Sequence, residues 1–357
     1  MRIGIITFHR AVNYGAILQT YALQETLKKY SNKVEIVDYR CKVIEEGVSP
    51  FEGFRKKIGF SNSIKKMIFR VVKNRKFDGF SHKYLSMSEK CKEKRDLEKI
   101  ENKYDALITG SDQVWNYGCS GSDEAYFLDF VKKAKKYSYA ASFGYDVLPA
   151  TDPFNYEELL SDFNGLSVRE KSAVEIVKEK TGKTAIVTLD PTLLLESNDW
   201  DKLVNDKRPI KEKYLFLYYI REPKDLLKYA EKVAKEKNLK IISAKSSKEF
   251  LLKCSPKDFL SWIYYSECFV TNSFHGTVFS ILFHKKFAVE LDNGKSTNNR
   301  SKELMELLGI SGRELDISNT KKIWDNVDYQ AIDERLSSER AASLSYLENI
   351  SEGRDVI

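Results

Sequence analysis

The chain is predicted to be an α/β protein made of two doubly wound, Rossmann-like domains that face each other across a cleft. Three observations point there. Its 357 residues are about twice the length of an average domain. Short apolar runs recur, each followed by a polar loop and a segment of helical periodicity. That series occurs twice, on either side of the charged stretch ESNDWDKLVNDKRPIKEK at 196–213.

Arg2 to Phe8 (RIGIITF) reads as a buried first strand, and Gly15 to Tyr30 as a helix. The loop His9-Arg10-Ala11-Val12-Asn13-Tyr14 joins them, and Lys33 to Tyr39 (KVEIVDY) is the next strand. Strand, loop, helix, strand is the opening of a parallel sheet, whose ligands gather at the carboxyl edge. The pattern returns at Tyr104 to Thr109, followed by Gly110-Ser111-Asp112-Gln113. Lys136 to Ser142, Gly165 to Val168 and Ala185 to Leu189 read as further short strands. Past the junction come strand Tyr214–Tyr219, helix Lys224–Lys237, strand Lys240–Ser243 and helix Pro256–Ser266. Strand Cys268–Thr271, helix Gly276–Phe283 and strand Phe287–Glu290 follow. A helical tail, Tyr329 to Leu347, is expected to cross back. The expected domains are therefore 1–195, 196–325 and the tail 326–357.

Hydrophobic residues make up 42% and charged residues 31%, which excludes disorder, a collagen-like repeat and a disulfide-stapled miniature. Five cysteines without a CxxC or a Cys/His cluster argue against structural zinc and against a disulfide framework. No apolar run approaches the ~18 residues of a membrane span, and His9 and Arg10 interrupt the amino terminus before signal-peptide length. The expectation is a soluble protein of the cytoplasm.

The net charge of +7 is concentrated. Residues 55–83 hold ten Lys/Arg and one acid, Asp78, so that segment carries +9 and the remainder −2. Ile64, Met67, Ile68, Val71 and Val72 follow the spacing of one helical face. Three readings are open: a surface helix packing its stripe on its own domain, a basic amphipathic helix on an anionic membrane, and a nucleic-acid patch. No nucleic-acid motif accompanies the charge, so no nucleic-acid partner is expected.

The strongest constellation is Thr271-Asn272-Ser273-Phe274-His275-Gly276-Thr277, which joins a buried strand to a helix. A helix amino terminus offers backbone N–H groups and the positive end of its dipole to an anion. His275 at its mouth is the candidate general acid, or simply a histidine packed in a loop. Arg169, in Ser167-Val168-Arg169-Glu170, offers a planar fork to a carboxylate or phosphate, or pairs with Glu170 on the surface. Ser111, Asp112, Gln113 and Trp115 bring a carboxylate, an amide and an indole together, suited to sugar hydroxyls and a ring face. Asp112 could equally be a helix N-cap. Asn13-Tyr14-Gly15 is a weaker phosphate-compatible turn, being neither GxGxxG nor Walker A.

Taken together, the segments IGIITFHRAVNYGAILQTYAL, DALITGSDQVWN, YFLDF, KKYSYAASFG, LSVREKSA, TLDPTLLL, FVTNSFHGTVFSILF and RSKELMELLGI resemble the polysaccharide pyruvyl transferase family. They span residue 3 to about 310 in the same order. The resemblance implies a glycosyltransferase-B-like fold, with acceptor and donor sides in the first and second domains. It also implies transfer of the enolpyruvyl unit of phosphoenolpyruvate to two sugar hydroxyls, releasing phosphate. The products would be exopolysaccharide or capsule, built on a polymer or a lipid-linked precursor. His275 resembles the family's general acid and Arg169 its phosphoenolpyruvate-binding arginine; Ser273, Phe274 and Gly276 complete that turn, and Asp112 is the candidate acceptor-side carboxylate. Many members have Arg-Leu-His-Gly where this chain has Ser273-Phe274-His275-Gly276, so Arg300 or Lys295 is the candidate replacement for the missing arginine. No cofactor or metal is expected, phosphoenolpyruvate being a co-substrate. The basic segment fits peripheral contact with the inner face of the cell membrane. Two other functions stay open: a nucleotide-sugar-dependent glycosyltransferase, and a non-catalytic sugar-binding member.

Overall fold

The computed structural model describes residues 1–48, 60–291 and 299–356. The chain divides into two compact units: Met1–Leu194 with Glu339–Ile357, and Leu195–Ser338.

Unit 1 is built on five parallel strands, β1 (Arg2–Ile6), β2 (Lys33–Tyr39), β3 (Met87–Cys91), β4 (Ala106–Thr109) and β5 (Lys135–Ser138), in the order β3-β2-β1-β4-β5. Single bridges at Tyr137–Gly165 and Ala141–Val168 extend the pairing to β6 (Ser167–Val168), which pairs in turn with β7 (Ile186–Val187). Ile3, Ile5, Ile6, Ile36, Val37, Leu107 and Ile108 are fully buried, as a sheet covered on both faces requires. Helix α1 (Tyr14–Leu27) runs from the β1 loop. Helix α2 (Lys42–Val48) follows β2, and α3 (Phe60–Tyr84) precedes β3.

Unit 2 carries four parallel strands, β8 (Tyr214–Tyr218), β9 (Lys240–Ser243), β10 (Cys268–Thr271) and β11 (Phe287–Val289), ordered β11-β10-β8-β9. Its helices include α4 (Leu226–Lys237), α5 (Phe274–Leu282) and α6 (Asn299–Leu307). The last helix, α7 (Tyr329–Ser351), begins among the residues of unit 2 and ends among those of unit 1. Among the described residues no helix is long and apolar enough to cross a membrane, and all five cysteines are free thiols.

Several elements differ from expectation. β3 has no counterpart in the sequence reading, because MSEKC is an edge strand whose half-exposed residues lack an apolar signature. The expected strand Lys136–Ser142 stops at Ser138, because Ala140 turns into the left-handed region at φ 47°. α1 ends at Leu27 rather than Tyr30. The junction 196–213 contains a short helix, Ser197–Asp201, that the sequence reading did not mark. The helix starting at Gly276 in the sequence reading starts two residues earlier, at Phe274.

Candidate active site

In an open parallel sheet, ligands bind where successive strands leave in opposite directions. In unit 1 that point lies between β1 and β4, and in unit 2 between β8 and β10. The strongest sequence candidates fall at these two edges.

At the unit 2 edge, β10 delivers Asn272 and Ser273. Asn272 accepts from the Ile220 backbone N–H at 3.0 Å, tying the β10 loop to the loop after β8. The Ser273 hydroxyl accepts from Gly276 N–H at 3.3 Å and so caps α5. Ser273 N–H donates to Thr271 Oγ1 at 3.0 Å. Gly276 is dictated by packing: a Cβ there would meet Thr271 Oγ1 at 2.5 Å. It is therefore buried against the strand rather than available to substrate through a side chain. His275 lies in the first turn of α5, 8% exposed, with its ring 5.2 Å from that of Phe274.

Two arginines join this turn. The Arg300 guanidinium lies over the Phe274 ring, 5.3 Å from its centroid, so α6 brings it beside the residue preceding His275. Arg221, absent from the sequence reading, donates from Nη2 to the Asn272 carbonyl at 2.9 Å. Its signal was topological: it follows β8, the strand next to β10, and only the strand order reveals that adjacency. Glu290, just past β11, accepts from the N–H groups of Lys224, Asp225 and Leu226 and is committed to the start of α4. Lys295 lies outside the described residues.

The unit 1 edge is a fastened charge network. Arg169 was expected to offer an open fork, yet its side chain is 3% exposed and enclosed by three carboxylates. Nε donates to Glu170 at 3.1 Å, Nη1 to Asp190 at 3.1 Å, and Nη2 stands 3.9 Å from Asp112. Burial alone would lower the guanidinium pKa, but Glu170, Asp190 and Asp112 outweigh it and raise it above its ordinary range. The Arg169–Glu170 pair thus exists, but it is buried. Ser111, itself buried, donates to Asp190 at 3.2 Å. Asp112 sits at φ 80°, with its carboxylate accepting from the Gln113 N–H at 2.9 Å. It caps no helix; the next one, Tyr117–Ser120, is capped by Asn116. Gln113 accepts from Cys119 Sγ at 3.3 Å.

Two expectations at this edge are corrected. Trp115 presents no indole to a sugar: it is fully buried, stacked on Phe127 at 5.6 Å, and its Nε1 donates to the Tyr126 carbonyl. Tyr14 is likewise a packing ring, buried beneath Phe77 at 5.0 Å and Lys73 Nζ at 4.8 Å. Asn13 caps α1 by accepting from Gly15 and Ala16 N–H groups, so that turn's donors already serve the helix. Around them, His9 faces Asp38 at 3.1 Å, Arg40 faces Asp38 at 2.7 Å, and Arg10 bridges Glu45 and Asp78. Among the described residues, no group of three or more His, Cys, Asp or Glu side chains is arranged to hold a metal ion.

No curated protein matches the chain. Among solved structures, a putative UDP-N-acetylglucosamine 2-epimerase from Listeria monocytogenes is similar at 12% identity, over 100% of this chain and 99% of that one, with a TM-score of 0.56. Two others, a Methanocaldococcus jannaschii UDP-GlcNAc 2-epimerase at 13% identity and Medicago truncatula UGT71G1 at 12%, both have TM-scores of 0.47. The first covers 98% of this chain and 99% of its own, the second 99% and 98%. The epimerase likeness shows the fold alone, a glycosyltransferase-B-like pair of Rossmann-like units. Residues 13–289, roughly three quarters of the sequence, match a family description that takes in the α1 turn, the Arg169 network and the His275 turn. The chain belongs to the polysaccharide pyruvyl transferase family.

Proposed function

We propose that the chain transfers the enolpyruvyl unit of phosphoenolpyruvate to two hydroxyls of a sugar in a polysaccharide or lipid-linked precursor. The observation that supports this most is the Asn272–Gly276 turn, where a histidine, two arginines and a helix amino terminus gather. Phosphoenolpyruvate carries a carboxylate and a phosphate, so its site needs several cationic or N–H donors. Arg221 and Arg300 take the place of the family's missing turn arginine.

In this reading His275 gives its proton to the methylene carbon, which becomes the methyl group. Positive character then builds at the carbon bearing the phosphate, and a sugar hydroxyl attacks it. The carbon–oxygen bond to phosphate breaks, and inorganic phosphate leaves. The second hydroxyl attacks the same carbon and closes the ketal. Of the two hydroxyl protons lost, one balances the proton given to carbon and the other leaves with phosphate or solvent.

Asp112 serves the acceptor, orienting or deprotonating a hydroxyl, and Arg169 holds Asp112 in place. Arg169 is not the donor's grip: one guanidinium among three carboxylates leaves an excess of negative charge, which repels an anionic donor. Purified protein should be stabilised against heat by phosphoenolpyruvate and not by UDP-sugars, and should form a pyruvate ketal on a diol-bearing glycan. Stabilisation by nucleotide sugars alone would favour the glycosyltransferase reading.

A further inference from the structure

We propose that Tyr117 and Tyr145 form a stacking platform beside Asp112 for a neutral sugar ring of the acceptor. Assigning that sugar to the acceptor rests on the transfer reaction proposed above; the sugar contact itself needs no donor.

Trp115 is the ring nearest to Asp112 in the sequence, and folding buries it. Two tyrosines stay partly exposed instead: Tyr117, two residues on, and Tyr145, beyond β5. Their rings lie 6.3 Å apart, inclined at 26°. They meet because the segments after β4 and β5 pair. Ser142 N–H donates to the Asp112 carbonyl at 3.1 Å, and Trp115 N–H to the Ser142 carbonyl at 3.2 Å. Gly144 permits the close approach: it sits at φ 74°, and a Cβ there would meet Asn116 Nδ2 at 2.5 Å and Gln113 Cδ at 2.8 Å. Both phenols are fastened. The Tyr145 hydroxyl donates to Asn116 Oδ1 at 3.4 Å, and the Tyr117 hydroxyl shares a hydrogen bond with Thr151 Oγ1 at 3.0 Å. The chain is anchored two residues before Tyr145, where Phe143 packs on Trp115 at 5.1 Å and on Tyr156 at 5.2 Å. Two residues after it, Val147 is 82% exposed. Rings held this way lose little freedom when a ligand lands on them.

The surrounding chemistry selects the ligand. The C–H face of a pyranose is weakly positive and suits the negative face of an aromatic ring, while its hydroxyls need carboxylate and amide partners. Asp112 and Gln113, both partly exposed, supply these within five residues of Tyr117. A nucleobase would stack as well, yet residues 110–131 and 139–155 contain six acids and no Lys or Arg. Nucleotide phosphates would meet repulsion there, and a neutral sugar would not.

The test is saturation-transfer difference NMR on the full chain with the methyl glycosides of galactose, glucose, mannose and N-acetylglucosamine. Wild type should transfer saturation to the ring C–H protons of at least one of them. Tyr117→Ala with Tyr145→Ala should weaken that binding about tenfold at an unchanged melting temperature. Tyr117→Phe with Tyr145→Phe should keep it, because the ring and not the hydroxyl makes the contact. If the alanine pair melts early, Tyr117→Leu with Tyr145→Leu replaces it, keeping apolar bulk without an aromatic face. Wild type that saturates none of these sugars, or alanine variants that bind as wild type does, would overturn the platform. So would phenylalanine variants that lose binding while keeping the melting temperature. Platform-dependent sugar binding without ketal formation from phosphoenolpyruvate would support the platform and overturn the transfer reaction alone. Ketal formation with the acceptor KM unchanged in the alanine pair would overturn the platform alone.

Discussion

The carboxyl edges of the two sheets hold their cations differently. In unit 1, Arg169 meets Glu170, Asp190 and Asp112, Arg40 meets Asp38, and Arg10 meets Glu45 and Asp78. In unit 2, Arg221 donates to the Asn272 backbone carbonyl and Arg300 lies over the Phe274 ring. The first edge resembles a clasp, where ion pairs join the loops after β1, β2, β4, β6 and β7. The second gathers two arginines beside the His275 turn, the donor site proposed above. A positively charged residue therefore says little about ligand binding until its own partners are known.

The largest expected effect tests the clasp. Arg169→Met removes the cation from three carboxylates and should cost about 3–5 kcal/mol of stability, read by urea unfolding. The comparison breaks if Arg169→Lys keeps the fold yet raises the KM for phosphoenolpyruvate while sparing that for the acceptor. Next comes the receptor: His275→Ala should lower ketal formation roughly a hundredfold or more with an unchanged melting temperature. Full activity in that variant would remove the general acid from the mechanism. Smaller again, Arg300→Gln should raise the phosphoenolpyruvate KM about tenfold with the acceptor KM unchanged. An effect on the acceptor instead would place the donor elsewhere.

The least effect expected is on pH dependence: stability should rise with pH in both units, in an acid window in unit 1 and an alkaline one in unit 2. Burial alone would raise the Asp38 pKa, but hydrogen bonds from His9 and Arg40 outweigh it and hold that carboxyl below its usual range. Its contribution is present above about pH 4 and is lost as the pH falls through the lowered native value. In unit 2, burial pushes Lys285 down to about 8 from an ordinary 10.5. Between those values the unfolded chain binds more protons, so stability should rise with pH. Asp38→Asn should flatten the acid loss and Lys285→Met the alkaline rise, both followed as unfolding midpoints. Midpoints that depend on pH as in wild type would discount these groups.

Some of this was legible from residue order. RIGIITF, CFVT and AIVTL are apolar runs of strand length, and a polar loop follows each in a parallel sheet, so the architecture could be read directly. The Ser273-Phe274-His275-Gly276 turn was placed correctly because a strand must end and a helix begin there. MSEKC was missed because an edge strand need not be apolar. Trp115 and Tyr14 were misassigned because an aromatic ring in a loop motif looks the same whether it faces solvent or the core.

Sequence alone determined the alternation of strands and helices, the family, and the accumulation of +9 in one segment, since these depend on residue types and their spacing. Tertiary structure decided which groups each charge meets. The order β3-β2-β1-β4-β5, extended by bridges to β6 and β7, sets Ser111, Arg169 and Asp190 side by side though they are far apart in the chain. The order β11-β10-β8-β9 sets Arg221 beside Asn272. Whether an arginine is spent on a neighbour or offered to a ligand depends on those lateral neighbours, and strand order is a property of the folded chain as a whole.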